Sequence, residues 1–346
     1  MNMPIPSLPL WADTFCGEGF LFSRDVNLLT EPKPLSYKQQ AELFQSRGMQ
    51  VSNTKNAEKL LAQLGYYRIK EAAKPLGVMK DGSLSYTDVS FDKVISRYYQ
   101  DKNLRVYLLH CIEEVEVSVK TNVAYILGRN GPFAYLTFSS WCNRDEYCKH
   151  YLTDRQKDFK KRLRLKLSNS SNPEIRKEVN LNNKGLPSIW LAVDVLTFGD
   201  VIYLIELMSM NNLKRLADIY KCSPTELLSW LKCLKFVRNI CAHNSNIIDI
   251  KLNTTPIVKS SWKHLLFKAE NSNGKYTDRI ALVLCVLTEI MAIVNPSYNY
   301  GKIYSSINTI ASTEILANQL GFNSRSSIVA VCPKVKRKYR KPKSRK

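Results

Sequence analysis

Residues 238–243 read R-N-I-C-A-H, placing a guanidinium, a carboxamide and an imidazole near one helix end. Three polar groups converging at one helix end make this segment the first place to look for chemistry. The helix that carries them is well marked. Ser223, Pro224 and Glu226 supply an N-cap hydroxyl, a proline at the first helical position and the far half of a capping box. At about 100° per residue, Leu227, Leu231, Leu234 and Ala242 share one narrow stripe, with Trp230, Val237 and Cys241 beside it. Arg238 sits in the middle of that stripe. Desolvating a fixed charge costs more than packing its stem returns, so an acidic or anionic group is expected to meet it. Asn239 and His243 are four apart and stack on the rim of the stripe until the helix gives way to Asn244-Ser245-Asn246.

Arginine followed by histidine is a weak pattern in so basic a chain, and Arg105 with His110 and Arg144 with His150 match it as well. Context separates them. His110 lies inside a long helix with Arg105 on another face, which reads as a packed or surface histidine, and His150 follows an irregular, aromatic-rich segment. Cys142, Cys148 and His150 form C-x5-C-x-H, without the tight C-x2-4-C knuckle of zinc sites, so no metal is expected there.

The charge points to a polyanionic partner. The chain of 346 residues carries 51 Lys and Arg against 30 Asp and Glu, a net charge of +21. The tail 334–346, which includes Lys336, Arg337, Lys338 and Arg340, holds nine of those positives and no acid, leaving +12 for the body. A surplus spread over body and tail fits nucleic acid better than a membrane, since no amphipathic basic helix stands out. A solubilising tail on a basic protein is the plainer alternative. Nine cysteines, an odd number set mostly in apolar patterns, point to a reducing, cytoplasmic compartment rather than to a disulfide framework. The apolar stretch Ile280–Val294 is interrupted by Thr288 and Glu289 and reads as a buried helix, not a membrane span.

The elements that must position the motif are helical throughout, and the expected fold class is all-α. Residues 1–35 form an N-terminal arm with five prolines. A small helical subdomain follows over 36–89. Ser36 and Gln39 box the start of a helix ending at Gly48, and Ala57, Leu60, Leu61 and Leu64 face a second ending at Gly65. Asp81-Gly82 between short apolar runs marks a minor β-hairpin. The main helical region spans 90–300. Its longest helix carries Leu104, Leu108, Ile112, Val115, Val119 and Val123 on one buried face. Glu116 lies at the edge of that face with Lys120 one turn on, so Glu116 either pairs with Lys120 or reaches Arg238. Residues 167–188 read as a surface insertion, after which a helix resumes from Pro187 through about Met210, with Trp190, Val195, Phe198, Ile202 and Ile205 on its apolar face. A shorter helix near residues 213–220 leads into the motif helix, and 301–333 form a C-terminal segment before the tail.

These residues resemble the Abi family of bacterial abortive-infection proteins, the AbiD/AbiF-like group built on a HEPN nuclease domain. The matching pieces run in order from residue 33 to about 250. They are Lys33-Pro34-Leu35-Ser36, Leu64-Gly65-Tyr66-Tyr67-Arg68, Tyr99-Gln100-Asp101 with Leu104-Arg105, Ile112-Glu113-Glu114-Val115-Glu116, Trp190, Phe198-Gly199, and Arg238 through His243. The chain departs from the family where Ile69-Lys70-Glu71-Ala72 replaces a Leu-Ser-Gly-Tyr-like continuation. It departs again where Lys120 stands for arginine and where Asn244-Ser245-Asn246 replaces a His-x-Arg-like ending.

The resemblance implies a HEPN-type helical bundle that pairs as a homodimer through the motif helices and forms one composite RNA-cleaving site. It implies a cofactor-free, metal-independent ribonuclease toxin of phage defence, silenced by a partner that the family allows to be a small RNA. In that reading His243 moves protons, Arg238 holds the scissile phosphate and Asn239 orients one or the other. Glu116, Lys120, Tyr66, Tyr67, Arg68 and the tail cations would contact RNA. A capped helix end with an interface salt bridge is the purely structural reading of the same three motif residues, and aromatics ending a helix are often core. The competing functions are a non-catalytic RNA-binding protein on the same fold and a DNA-binding regulator using the tail.

Overall fold

The computed structural model describes residues 34–80, 82–269 and 274–333. Among them are thirteen α-helices and one two-stranded antiparallel hairpin, so the mostly helical expectation holds. The chain runs α1 (Tyr37–Ser46), α2 (Thr54–Leu64), α3 (Tyr66–Ala73), β1 (Val78–Lys80), β2 (Ser83–Ser85), α4 (Phe91–Leu127), α5 (Lys149–Ser168), α6 (Ile189–Val195) and α7 (Phe198–Leu207). It continues with α8 (Met210–Ile219), α9 (Pro224–Ala242), α10 (Ile280–Val294), α11 (Gly301–Ile310), α12 (Glu314–Gln319) and α13 (Arg325–Val331). No described helix is long and apolar enough to cross a membrane.

Local chemistry sets the helix starts. Ser36 and Gln39 exchange the two bonds of a capping box at α1, and Ser223 and Glu226 do the same at α9 with Pro224 at the first position. Gly65 ends α2 at φ 82°, a conformation that would strain any residue with a Cβ.

Two apolar clusters form. α1–α3 gather Phe44, Leu61, Ile69 and Tyr86 against the first turns of α4 (Phe91, Val94). The larger cluster surrounds α10, whose residues from Ile280 through Leu287 are buried on every side, as its unbroken apolar run requires. α4 serves both clusters. Its 37 residues span about 55 Å, and it packs against α3 near its start and against α9, α10 and α11 further along.

The structure corrects the expected helix from Pro187 through Met210. Leu196 leaves the helical conformation at φ −74°, ψ 137°, and Thr197 restarts the chain with a capping box to Asp200. Two short helices result because the Thr-x-x-Asp cap competes with continuation of the ladder. Trp190 is not on a core face either, being 52% exposed. α5 is a helix that the sequence pattern does not mark. Its sequence is dominated by charge, with only Leu152, Phe159 and Leu163 buried, so its apolar stripe is too thin to read as a helix in isolation. The segment after it lacks α-helix and holds short 3-10 turns.

Candidate functional site

The motif lies where α9 crosses α4. Glu116 of α4 accepts Lys120 at 2.9 Å and stands 3.9 Å from the Arg238 Nε, so both pairings read from the sequence are present on one carboxylate. Arg238 is not buried in the apolar stripe, as its spacing suggested. Its side chain is 41% exposed, while Leu227, Trp230, Leu231, Leu234, Val237 and Cys241 carry the packing. Ala242 is exposed as well. The buried arc is therefore rotated away from Arg238 and Ala242, and α9 packs against α4, α7, α8 and α10. Two cations share one carboxylate here, on a concave surface lined by His110, Glu113, Glu116, Lys120 and Arg238, where Glu113 supplies a second carboxylate.

Asn239 and His243 are exposed and, four residues apart, face the same way. Cys241, within the motif, is a core thiol pushed up to about 12 by burial, with Asp101 adding to the rise, which leaves it inert as a nucleophile. His110 is exposed and its Nδ1 pairs with the Tyr298 hydroxyl at 3.0 Å. His150 is exposed beside Asp154.

His243 is the C-cap of α9, and the turn after it holds the site in place. Asn244 adopts φ 59°. Its amide donates to the Cys241 carbonyl at 3.3 Å and the Ser245 amide donates to the Ile240 carbonyl at 3.1 Å, the two bonds of a Schellman turn. Asparagine tolerates this left-handed conformation better than most residues. Here its side chain is used too: the Arg105 guanidinium donates to Asn244 Oδ1 at 3.1 Å, and Arg68 of α3 donates to the Asn244 carbonyl at 3.4 Å. Because Arg238 meets Glu116 while Asn244 meets Arg105 further back along α4, the two helices run antiparallel.

Beneath the turn lies a buried polar core. Asp101 and Arg105 are both almost fully buried and pair at 2.9 Å. The Asp101 Oδ1 accepts the Ile247 and Ile248 amides at 2.7 and 3.0 Å. Burial pushes the Asp101 carboxyl above its usual range, against the pull of those two amides and of Arg105. Alongside, Arg97 pairs with Asp249, and Asn246 donates to Asp249 at 2.7 Å. Thus α4 anchors the chain on the far side of the motif from Glu116.

Of the residues singled out from sequence, Arg238, Glu116 and Lys120 come together, with Asn239 and His243 on the adjoining exposed face. Arg68 reaches the end of the motif helix. Tyr66 instead packs on Phe44 with ring centroids 5.0 Å apart, and Tyr67 is 78% exposed, edge-on to Tyr66. Lys336, Arg337, Lys338 and Arg340 lie outside the described residues. The sequence reading names Asp101 and Arg105 only as positions that match the family, and Asn244 only as a departure from it, and gives none of them a role at the site. An Asp and an Arg four apart on a helix otherwise rich in core residues was the available signal, masked by the more obvious pairing of Arg105 with His110 as a motif.

A helical protein with a cation pair and an exposed imidazole at a braced helix end is the class that this geometry defines. Residues 59–249 match the family of Abi-like proteins, more than half of the 346 residues, and the chain belongs to that family. The match ends at Asp249, within the buried network, and so spans α4, α9 and the turn between His243 and Asp249. No curated protein and no solved structure matches the chain. Membership points to a role in abortive infection.

Proposed function

We propose that this protein is a metal-independent endoribonuclease toxin of an anti-phage system, with Arg238, Asn239 and His243 at its site and two copies of the chain forming the working unit. The observation that carries the reading is the pairing of a half-exposed guanidinium, tethered to Glu116, with an exposed imidazole on a braced helix end.

In this reaction one imidazole accepts the proton of a ribose 2′-hydroxyl. The 2′-oxygen bonds to the adjacent phosphorus, the bond to the 5′-oxygen breaks, and a second imidazole, protonated, donates to the leaving oxygen. The products are a 2′,3′-cyclic phosphate and a 5′-hydroxyl. One His243 from each copy supplies the two roles. Arg238 holds the phosphate and stabilises charge developing on its oxygens, and Asn239 orients the ring or the phosphate. Glu116 tethers the guanidinium while also accepting Lys120.

The test is incubation of purified protein with total RNA in EDTA, followed by end-group analysis. Cyclic phosphate ends that vanish with His243→Ala are the expected result. A variant that binds RNA as wild type does, with neither protein cutting, would instead favour a non-catalytic RNA-binding protein.

A further inference from the structure

A second feature of the molecule lies away from the motif. Between residues 149 and 190 the chain carries eleven Lys and Arg against four Asp and Glu. α5 buries Leu152, Phe159 and Leu163 and turns its cations outward. Most nearby carboxylates are already occupied: Asp154 by His150 and Lys157, Asp158 by Arg155, Glu174 by Lys177, and Asp200 of α7 by Arg162 and Lys166, with Glu178 in no ion pair among the described residues. Lys160, Arg164 and Lys184 have no carboxylate partner among the described residues. Lys160 and Arg164 are one turn apart on α5, and burial lowers the Lys160 ammonium from its usual range, with the charges of Lys184 and Arg164 lowering it further. A half-buried ammonium crowded by like charges is unfavourable by itself and is relieved by an anion.

The aromatic that opens α6 adds a second, independent observation. Trp190 is 52% exposed, whereas Trp141, Trp230 and Trp262 are all at 5% or below. Its ring lies against the end of α4, where a Cβ on Gly128 would stand 3.2 Å from its Cζ2. Tyr125, one turn earlier on α4, is 71% exposed. α6, which carries Trp190, packs against α5, and a large aromatic left in water on a helix next to one rich in cations suits nucleobase stacking and phosphate contact together.

We propose that α5, Lys184 and Trp190 form a second contact surface for single-stranded RNA, with Lys160, Arg164 and Lys184 on phosphates and Trp190 stacked on a base. The proposal deepens the ribonuclease reading and rests on its choice of RNA as ligand. Contacts lead from this surface back to the motif helix. Arg162 and Lys166 hold Asp200, and the adjoining Gly199 lies against the stem of Lys235, where a Cβ would stand 3.6 Å from Lys235 Cδ. Lys235 is one turn ahead of Arg238 and Asn239 on α9.

The test uses the full chain and a cleavage-resistant 2′-O-methyl oligouridine 20-mer. In the triple variant Lys160→Gln/Arg164→Gln/Lys184→Gln, the slope of log K against log salt should flatten by about 2, from roughly 0.7 per lost phosphate contact. Binding should quench tryptophan emission in the wild type, and Trp190→Phe should abolish the quench while keeping the salt slope. An unchanged slope in the triple variant, an undiminished quench in Trp190→Phe, or equal binding of both proteins to phosphatidylserine vesicles in preference to the oligomer overturns the proposal. Cleavage of a ribodinucleotide, too short to reach α5, separates the two readings: the triple variant should cut it at the wild-type rate. If no protein cuts it, the nuclease reading fails while the binding arm still decides this one.

Discussion

Replacing Asp101 by Asn should unsettle the site more than any exposed substitution near it. Asp101 is 7% exposed and Arg105 3%, with their ion pair at 2.9 Å. Asparagine can keep the Oδ1 that accepts the Ile247 and Ile248 amides, but it removes the countercharge of a buried guanidinium. Breaking a buried pair on one side costs about 3–5 kcal/mol, most of it the stranded charge. Burial already holds the Asp101 carboxyl above its usual range in spite of its partners, so holding it ionised is itself costly in the fold and the lower end, about 3 kcal/mol, is expected. At roughly 2–4 °C per kcal/mol for domains of a few hundred residues, the variant should melt about 6–12 °C below wild type by differential scanning calorimetry. The double variant Asp101→Asn/Arg105→Met removes both charges and should recover most of that loss, a coupling that a double-mutant cycle reads directly. If Asp101→Asn melts within about 2 °C of wild type, the buried pair does not anchor the turn after His243 and the account of how the site is held is wrong.

Other outcomes follow from the same geometry. At Asn244, with φ 59°, Gly keeps the left-handed turn and loses only the acceptor for Arg105. Ala loses both, so Asn244→Ala should be less stable than Asn244→Gly by about 1 kcal/mol in urea unfolding. Burial raises the Asp200 carboxyl, but the Thr197 hydroxyl and amide and the Lys166 ammonium outweigh it and the net position is below the usual range. Its stabilising contribution is therefore present above its unfolded-chain value and lost as pH falls through the lower folded one. Asp200→Asn should cost about 1–2 kcal/mol at pH 7, and its difference from wild type should narrow below about pH 4. Glu116→Gln frees Arg238 and Lys120 together. It should slow RNA cleavage about tenfold, roughly 1.4 kcal/mol of lost positioning, without weakening RNA affinity, as single-turnover and equilibrium binding measurements would show.

What the sequence determined by itself is what local chemistry settles. Ser223, Pro224 and Glu226 fix the start of α9, the Ser36 box fixes α1, and the unbroken apolar run of α10 requires burial, because caps and apolar periodicity act over a few residues and need no distant partner. The break at Thr197 was equally local, written in a Thr-x-x-Asp cap inside an apolar stretch that reads as one helix. Glu116 could be read as a partner for Lys120 or for Arg238, and only the crossing of α4 by α9 gives it both. Tertiary structure alone decided that Arg238 stands half in solvent and that Asn244 is held from α4 by Arg105 and from α3 by Arg68. It alone sealed Asp101 beneath two amides from residues nearly 150 positions away. These outcomes depend on which helix faces which. Burial and long-range pairing follow from how three helices meet, and that information is spread over the whole chain rather than carried by any one segment.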